Sequence, residues 1–333
     1  MAIRNCMFSG VLTALVLGAG CNEPVGSTSN EYVEGPCATD GGTDCSTGGG
    51  ANSTPKSYYI NAGERTAEAE KKPWSSWWYP HWQDTLFEGK NEERATLEKY
   101  DAFAATLNRP TTAAEYERTK LYDPRAVSWS GLCDAWAIAS IMEPEPTQSI
   151  RRGNTIFRVG DLKALILKTY EKIAPLTNIG SRFNGEWDDE YADVSPDQLH
   201  HVIETELIAK HRAFIIDEDA GPEVWNEPAW KVTTRVEHVE GQPHIARVRT
   251  WLFLASPHVE DRDFVGTVND SREYTYDLEG DWEGERFHVR GGRWTDRSQW
   301  DHPDYAIILP ERIQRGSFNP QIDPSIVDLI LQR

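Results

Sequence analysis

The chain has 333 residues, with 39% hydrophobic content and thirteen tryptophans. That is enough apolar material for one large domain or two smaller ones. Its 53 acidic side chains outnumber 34 basic ones, for a formal charge of -19. An acidic surface repels phosphate backbones, and no lysine- or arginine-rich run interrupts it, so nucleic acid is not an expected partner.

Residues 1–20 read as an export signal. Arg4 gives a thin positive start, and MFSGVLTALVLGAG over residues 7–20 is apolar but too short to span a bilayer. Gly18, Ala19 and Gly20 lead directly into Cys21, a lipobox-like pattern that makes Cys21 the expected lipidation site. The leucine of such a box would stand at position 18, whereas here it is Leu17; an ordinary cleaved signal peptide is the alternative. The expected location is therefore the bacterial cell envelope as a lipoprotein, or the outside of the cell as a secreted protein, with membrane contact through the lipid anchor only. Residues 21–56 are rich in Gly, Ser, Thr, Asn and Pro and read as a flexible tether. Cys37 and Cys45 lie in that tether and could pair in an oxidising compartment. Residues 57–333 form the expected catalytic domain, with Cys133 as its one thiol.

The domain opens on an aromatic cluster, Trp74, Trp77, Trp78, Tyr79 and Trp82, read first as core packing and second as a glycan-stacking platform. Helical spacing follows over residues 91–107 and again after Ser130, where Pro144 and Pro146 end the pattern. DLKALILKTYEKIA from Asp161 is a third helix. SPDQLHHVIETELIAKHR from Ser195 is a fourth, with Ser195 and Gln198 set for a capping box and Pro196 at the first helical position. Beyond residue 213 the segments AFIID, KVTTRVEHV, ARVRTWLFLAS, EYTYDL and FHVRGGRW are β-branched and aromatic and partly alternate. Helices first and strands later predict an α+β domain with an antiparallel sheet, of papain-like or transglutaminase-like kind.

Cys133 sits in WSGLCDAWAIAS, after a tight Ser130-Gly131 turn and at the start of an apolar helix. A helix N-terminus favours thiolate, so Cys133 is the expected nucleophile; a buried structural cysteine is the plain alternative. A cysteine nucleophile needs a base, and the base an orienting group. On the helix from Ser195, Leu199, Val202, Ile203 and Leu207 define the buried face. His200 lies at the edge of that face and His201 points away from it. His200 is therefore the expected base, with His244 and His258 next in line. Asp217 closes the strand AFIID as the expected third member, with Asp219 its competitor. No HExxH, paired CxxC or phosphate-binding glycine loop occurs, so no cofactor or metal is expected. Trp187-Asp188-Asp189-Glu190 with Asp193 is acidic but lacks calcium-loop spacing.

Taken together, these segments resemble the transglutaminase elicitor family of oomycetes and bacteria, from about Trp74 to Pro310. WSSWWYP resembles the aromatic entry motif, LEKYDAF the KYD segment, and WSGLCDAWA with EPEP the block around the nucleophile. VGDLKALI resembles the next helix, and LHHVI the block carrying the family's histidine, at His200. FIIDEDAGPEVWNEP resembles the aspartate and elicitor core, with Glu227 where the family usually has glutamine. YTYDLEG, GGRW and DHPDYAIIL resemble the last strands. The resemblance implies a protein-glutamine γ-glutamyltransferase in which Cys133 forms a thioester, His200 exchanges the proton and Asp217 orients the imidazole. The implied partners are glutamine- and lysine-bearing proteins or amines. A cysteine peptidase or glutamine deamidase would use the same triad, and a non-catalytic cell-surface binding module would need none of it.

Overall fold

The computed structural model describes residues 55–91, 93–181, 193–218 and 223–332, all within the second of two compact units, Gly49–Arg333. The signal at 1–20, nearly all of the tether, Cys21, Cys37 and Cys45 lie outside the described residues, as do Asp219 and the acidic run 187–190. No described helix is long and apolar enough to cross a membrane.

A helical layer and a β-sheet layer are built around two hydrophobic cores. The helices are α1 (Thr96–Thr106), α2 (Ala113–Tyr116), α3 (Cys133–Met142), α4 (Val159–Lys168), α5 (Pro196–Val202) and α6 (Pro324–Leu331). The strands are β1 (Tyr58–Asn61), β2 (Gly63–Glu68), β3 (Ile150–Arg152), β4 (Thr155–Phe157), β5 (Asn178–Gly180), β6 (Phe214–Asp217), β7 (Asn226–Val239), β8 (Gln242–Ala255), β9 (Asn269–Glu283), β10 (Arg286–Trp294) and β11 (Tyr305–Ile307). The expectation of helices in the N-terminal half and antiparallel strands in the C-terminal half holds. What it omits includes β1 to β5 and α6, of which β1 and β2 matter most to the sheet. GERTAE is mostly solvent-facing and carries no apolar alternation, so nothing local marks it as a strand; pairing with distant edges makes it one.

The main sheet runs β1-β10-β9-β8-β7-β6-β11-β5, with β2 also on β7. β1 pairs with β10 and β2 with β7, so the single segment 58–68 closes β7, β8, β9 and β10 into a ring. Every pairing in the ring is antiparallel. Val232, Val248, Leu252, Tyr276 and Phe287 fill its interior, and Leu199, Val202, Ile203 and Leu207 of the α5 segment close it over. The second core joins α1, α3, α4 and α6 with Trp74 and Tyr79.

The aromatic cluster is packing. Trp74, Trp78 and Tyr79 are buried, and Trp136 Nε1 donates to the Trp74 carbonyl at 2.9 Å while Trp74 Nε1 donates to that of Glu143 at 3.0 Å. α4 starts two residues before the expected Asp161. Asp161 instead accepts from the Arg158 N–H at 2.8 Å, from Thr96 at 2.6 Å and from buried Lys99 at 2.6 Å. One carboxylate thus caps α4 and ties it to α1.

Candidate active site

Gly131 explains how the thiol is presented. A Cβ there would fall 2.5 Å from the Trp78 ring and 2.8 Å from its carbonyl, so only glycine lets the chain pass. The Leu132 N–H then bonds the Trp78 carbonyl at 2.6 Å, and α3 begins at Cys133. The residues that follow, Ala135, Trp136, Ala137 and Ala139, are almost wholly buried and fix the helix in its lobe.

The sulfur is buried, and its thiol faces the Val224 carbonyl at 3.8 Å. Burial pushes the Cys133 thiol up from 9.0 to about 12, the nearby Asp134 and Asp217 charges add to that, and backbone N–H groups of Asn226 and Asp134 work against it. The expectation that the helix N-terminus favours thiolate is therefore corrected: here desolvation outweighs the dipole. The resting residue is a protonated thiol.

Asp217 is brought to the same place. It is wholly buried at the end of β6, and its Oδ1 accepts the Trp225 N–H at 2.8 Å, one residue beyond the carbonyl that faces the thiol. Opposite it on β7 is Asn226, whose side-chain oxygen accepts from Tyr305 at 2.9 Å. Trp225 and Trp78 meet edge-on with centroids 5.4 Å apart and wall the site. On the other side of Trp225 lies the exposed His258, ring to ring at 4.8 Å. Trp225 and Trp78 are functional neighbours that sequence reading did not single out as such; the GPEVWNEP turn beside Asp217 was the available signal.

His200 goes elsewhere. Side chains alternate along β6, so Ile215 and Asp217 face the helical core while Phe214 and Ile216 face the ring interior. α5 packs on that interior side, and His200 is wholly buried there. Its Nδ1 meets Tyr276 Oη at 2.7 Å, and its Nε2 lies 3.2 Å from Glu204 Oε1. Tyr276 continues to Thr250 at 2.9 Å, and Thr250 to Thr234 at 2.8 Å. Burial raises the Glu204 carboxyl, but His200 and Arg65 hold it down to about 2. The structure brings Cys133 and Asp217 together and does not bring His200 to them. The periodicity placed His200 correctly at the rim of the apolar stripe, but that stripe closes the β-ring and borders no cleft. His201 packs against Tyr58 at 4.8 Å, and the exposed His244 on β8 pairs with Asp281 on β9 at 2.7 Å. Among the described residues no histidine nitrogen hydrogen-bonds the Cys133 sulfur.

The helix-borne thiol and the carboxylate at the strand end thus lie on one side of the sheet. Among solved structures the chain is similar to the GP42 transglutaminase from Phytophthora sojae, with a TM-score of 0.59 and 20% identity over 80% of this chain and 90% of that one. Residues 125–243 match the family model described as transglutaminase elicitor. None of the curated proteins compared matches the chain. The resemblance carried by the motifs is borne out: residues 125–243 resemble the transglutaminase elicitor family, and the fold is similar to that of a transglutaminase.

Proposed function

We propose that this protein is an exported protein-glutamine γ-glutamyltransferase that works through a thioester on Cys133. The reading is supported above all by one observation: the thiol of Cys133, at the start of α3, is buried against the strand end that carries Asp217. Cys133 attacks the carboxamide carbon of a glutamine side chain. The carbon–nitrogen bond breaks, ammonia leaves with the former thiol proton, and a thioester remains. A lysine amine then attacks the thioester, forming an isopeptide bond and returning its proton to the sulfur. Water in place of the amine gives glutamate.

Asp217 is proposed as the group that accepts the thiol proton, in place of its expected role of orienting an imidazole. It is the carboxylate lodged on the thiol's side of the sheet, and its charge is felt at the sulfur. The N–H groups of Asn226 and Asp134 that face the sulfur favour the thiolate once the proton has gone. His258, across Trp225, and His81, bonded to Ser130 in the turn before the thiol, are the imidazoles near this site and the competing bases.

The burial of the thiol also favours a second reading, a non-catalytic surface module in which Cys133 is structural. Incorporation of a biotinylated amine into a glutamine-rich protein separates the two. Wild type is expected to incorporate it, and Cys133→Ala to fall to background with its melting curve kept. Activity surviving in folded Cys133→Ala would sink the mechanism. Lipidation at Cys21 belongs to the same proposal, and a Cys21→Ser chain is expected to lose membrane association.

A further inference from the structure

We propose that Tyr305 is a positioning residue of the acyl-transfer site: its hydroxyl holds Asn226, and Asn226 presents its main-chain N–H to the Cys133 sulfur. The proposal rests on the reading of Cys133 as a nucleophile. Register builds the arrangement from three strands. Asp217 at the end of β6 stands opposite Asn226 at the start of β7. On the other edge of β6, Ile216 pairs with Ala306 of β11, which sets Tyr305 beside Asp217. Cross-strand partners share a face, so Tyr305, Asp217 and Asn226 form one row on the side of the thiol.

The hydrogen bonds follow from that row. The Glu218 N–H bonds the Trp225 carbonyl at 3.3 Å. In an antiparallel ladder the next pair, Asp217 and Asn226, then exchanges no main-chain bonds, and the Asn226 N–H is left to face the sulfur. The Tyr305 hydroxyl reaches past Asp217 and donates to Asn226 Oδ1 at 2.9 Å. Both residues are only 5% exposed, so water competes little for that bond. Asn226 is the first residue of β7, where the ladder holds the chain least, and the bond from Tyr305 pins it there.

What Asn226 does to the sulfur gives that anchor its consequence. Burial and the Asp134 charge, then the Asp217 charge, all oppose thiolate at Cys133. Of the groups that favour it, the Asn226 N–H acts most strongly, ahead of that of Asp134. A donor of this kind helps only while it is aimed, so the side chain that fixes Asn226 governs how readily the sulfur gives up its proton. Tyr305 acts through Asn226, and its loss belongs in the rate of the chemical step rather than in substrate affinity.

Alkylation by iodoacetamide, followed by mass spectrometry of the Cys133 peptide, tests this on the whole chain and needs no turnover. Tyr305→Phe keeps the ring and removes only the hydroxyl. It should slow alkylation at pH 8 at least about threefold and move the rise of the rate to higher pH, since a hydrogen bond to a charged group is worth roughly tenfold or more when lost outright. Asn226→Ala removes the acceptor and should slow alkylation to a similar degree. The double variant should be no slower than the slower single one, because two residues that act through one bond do not add. In transamidation, Tyr305→Phe should lower kcat with KM kept within about twofold. A wild-type or faster alkylation profile in Tyr305→Phe, whatever its melting temperature, would overturn the proposal, and so would losses that multiply in the double variant. A wild type without turnover would count against the thioester reading, while the alkylation series would still decide the role of Tyr305.

Discussion

The two faces of the sheet treat their buried polar groups differently. In the ring interior, His200 Nδ1 hydrogen-bonds Tyr276 and the chain runs on through Thr250 and Thr234, while Nε2 lies 3.2 Å from Glu204 without a hydrogen bond. On the helical side, a thiol is buried against a single carbonyl at 3.8 Å with an aspartate charge close by. A chain of hydrogen bonds through Tyr276, Thr250 and Thr234 rigidifies a core. A desolvated thiol beside a buried carboxylate is held neutral until its proton has an acceptor.

The comparison breaks most sharply on the thiol. Displacement from 9.0 to about 12 leaves about a thousandfold less thiolate near pH 8 than an unperturbed cysteine. Iodoacetamide should therefore alkylate Cys133 about a thousandfold more slowly than a free cysteine at pH 8, with a rate that still climbs past pH 10. Because the folded thiol is raised, the stability it lends is present below pH 9 and lost as pH rises toward 12. Fast alkylation at pH 8 would mean that the sulfur is exposed in solution.

Next comes the base. Asp217→Asn is expected to lower kcat/KM by at least about a hundredfold, the lower end for loss of a proton acceptor. His258→Ala should cost less, and the reverse ranking would hand the role to the imidazole. His200→Ala sharpens the contrast from the other side. It leaves the buried Tyr276 hydroxyl one partner short, at about 1–3 kcal/mol, so its melting temperature should drop while kcat/KM of the folded fraction stays within a few-fold. A hundredfold loss of kcat/KM at unchanged stability would return His200 to the mechanism.

The smallest effect concerns acid. Glu204 is held down from 4.5 to about 2, so it contributes stability above pH 4.5 that is lost as pH falls toward 2. Glu204→Gln should flatten the stability profile across that window, as measured by urea unfolding at stepped pH.

What the sequence disclosed was local. A glycine turn before an apolar helix marked Cys133, and a strand ending in an acid marked Asp217, because each signal lies within a dozen residues. The buried stripe of α5 was also read correctly, down to Leu199, Val202, Ile203 and Leu207. Periodicity says which side of a helix is covered and nothing about what covers it, and so His200 was expected beside a cleft. The row of Tyr305, Asp217 and Asn226 depends on the register of β11, β6 and β7, which no short window contains. β1 and β2 were missed for the same reason.

Those two strands make the barrel's integrity depend on its least hydrophobic piece. Residues 58–68 cover the outer edge of β10 and the edge of β7 beyond its pairing with β6. Peeled away, they would leave two bare rows of peptide groups ready to template sheet growth with neighbouring molecules. A proteolytic cut near Lys71–Lys72 would spare both the thiol and its aspartate, yet free the strand pair that covers these edges. Colloidal behaviour is thus set by a segment that the Cys133 site does not include.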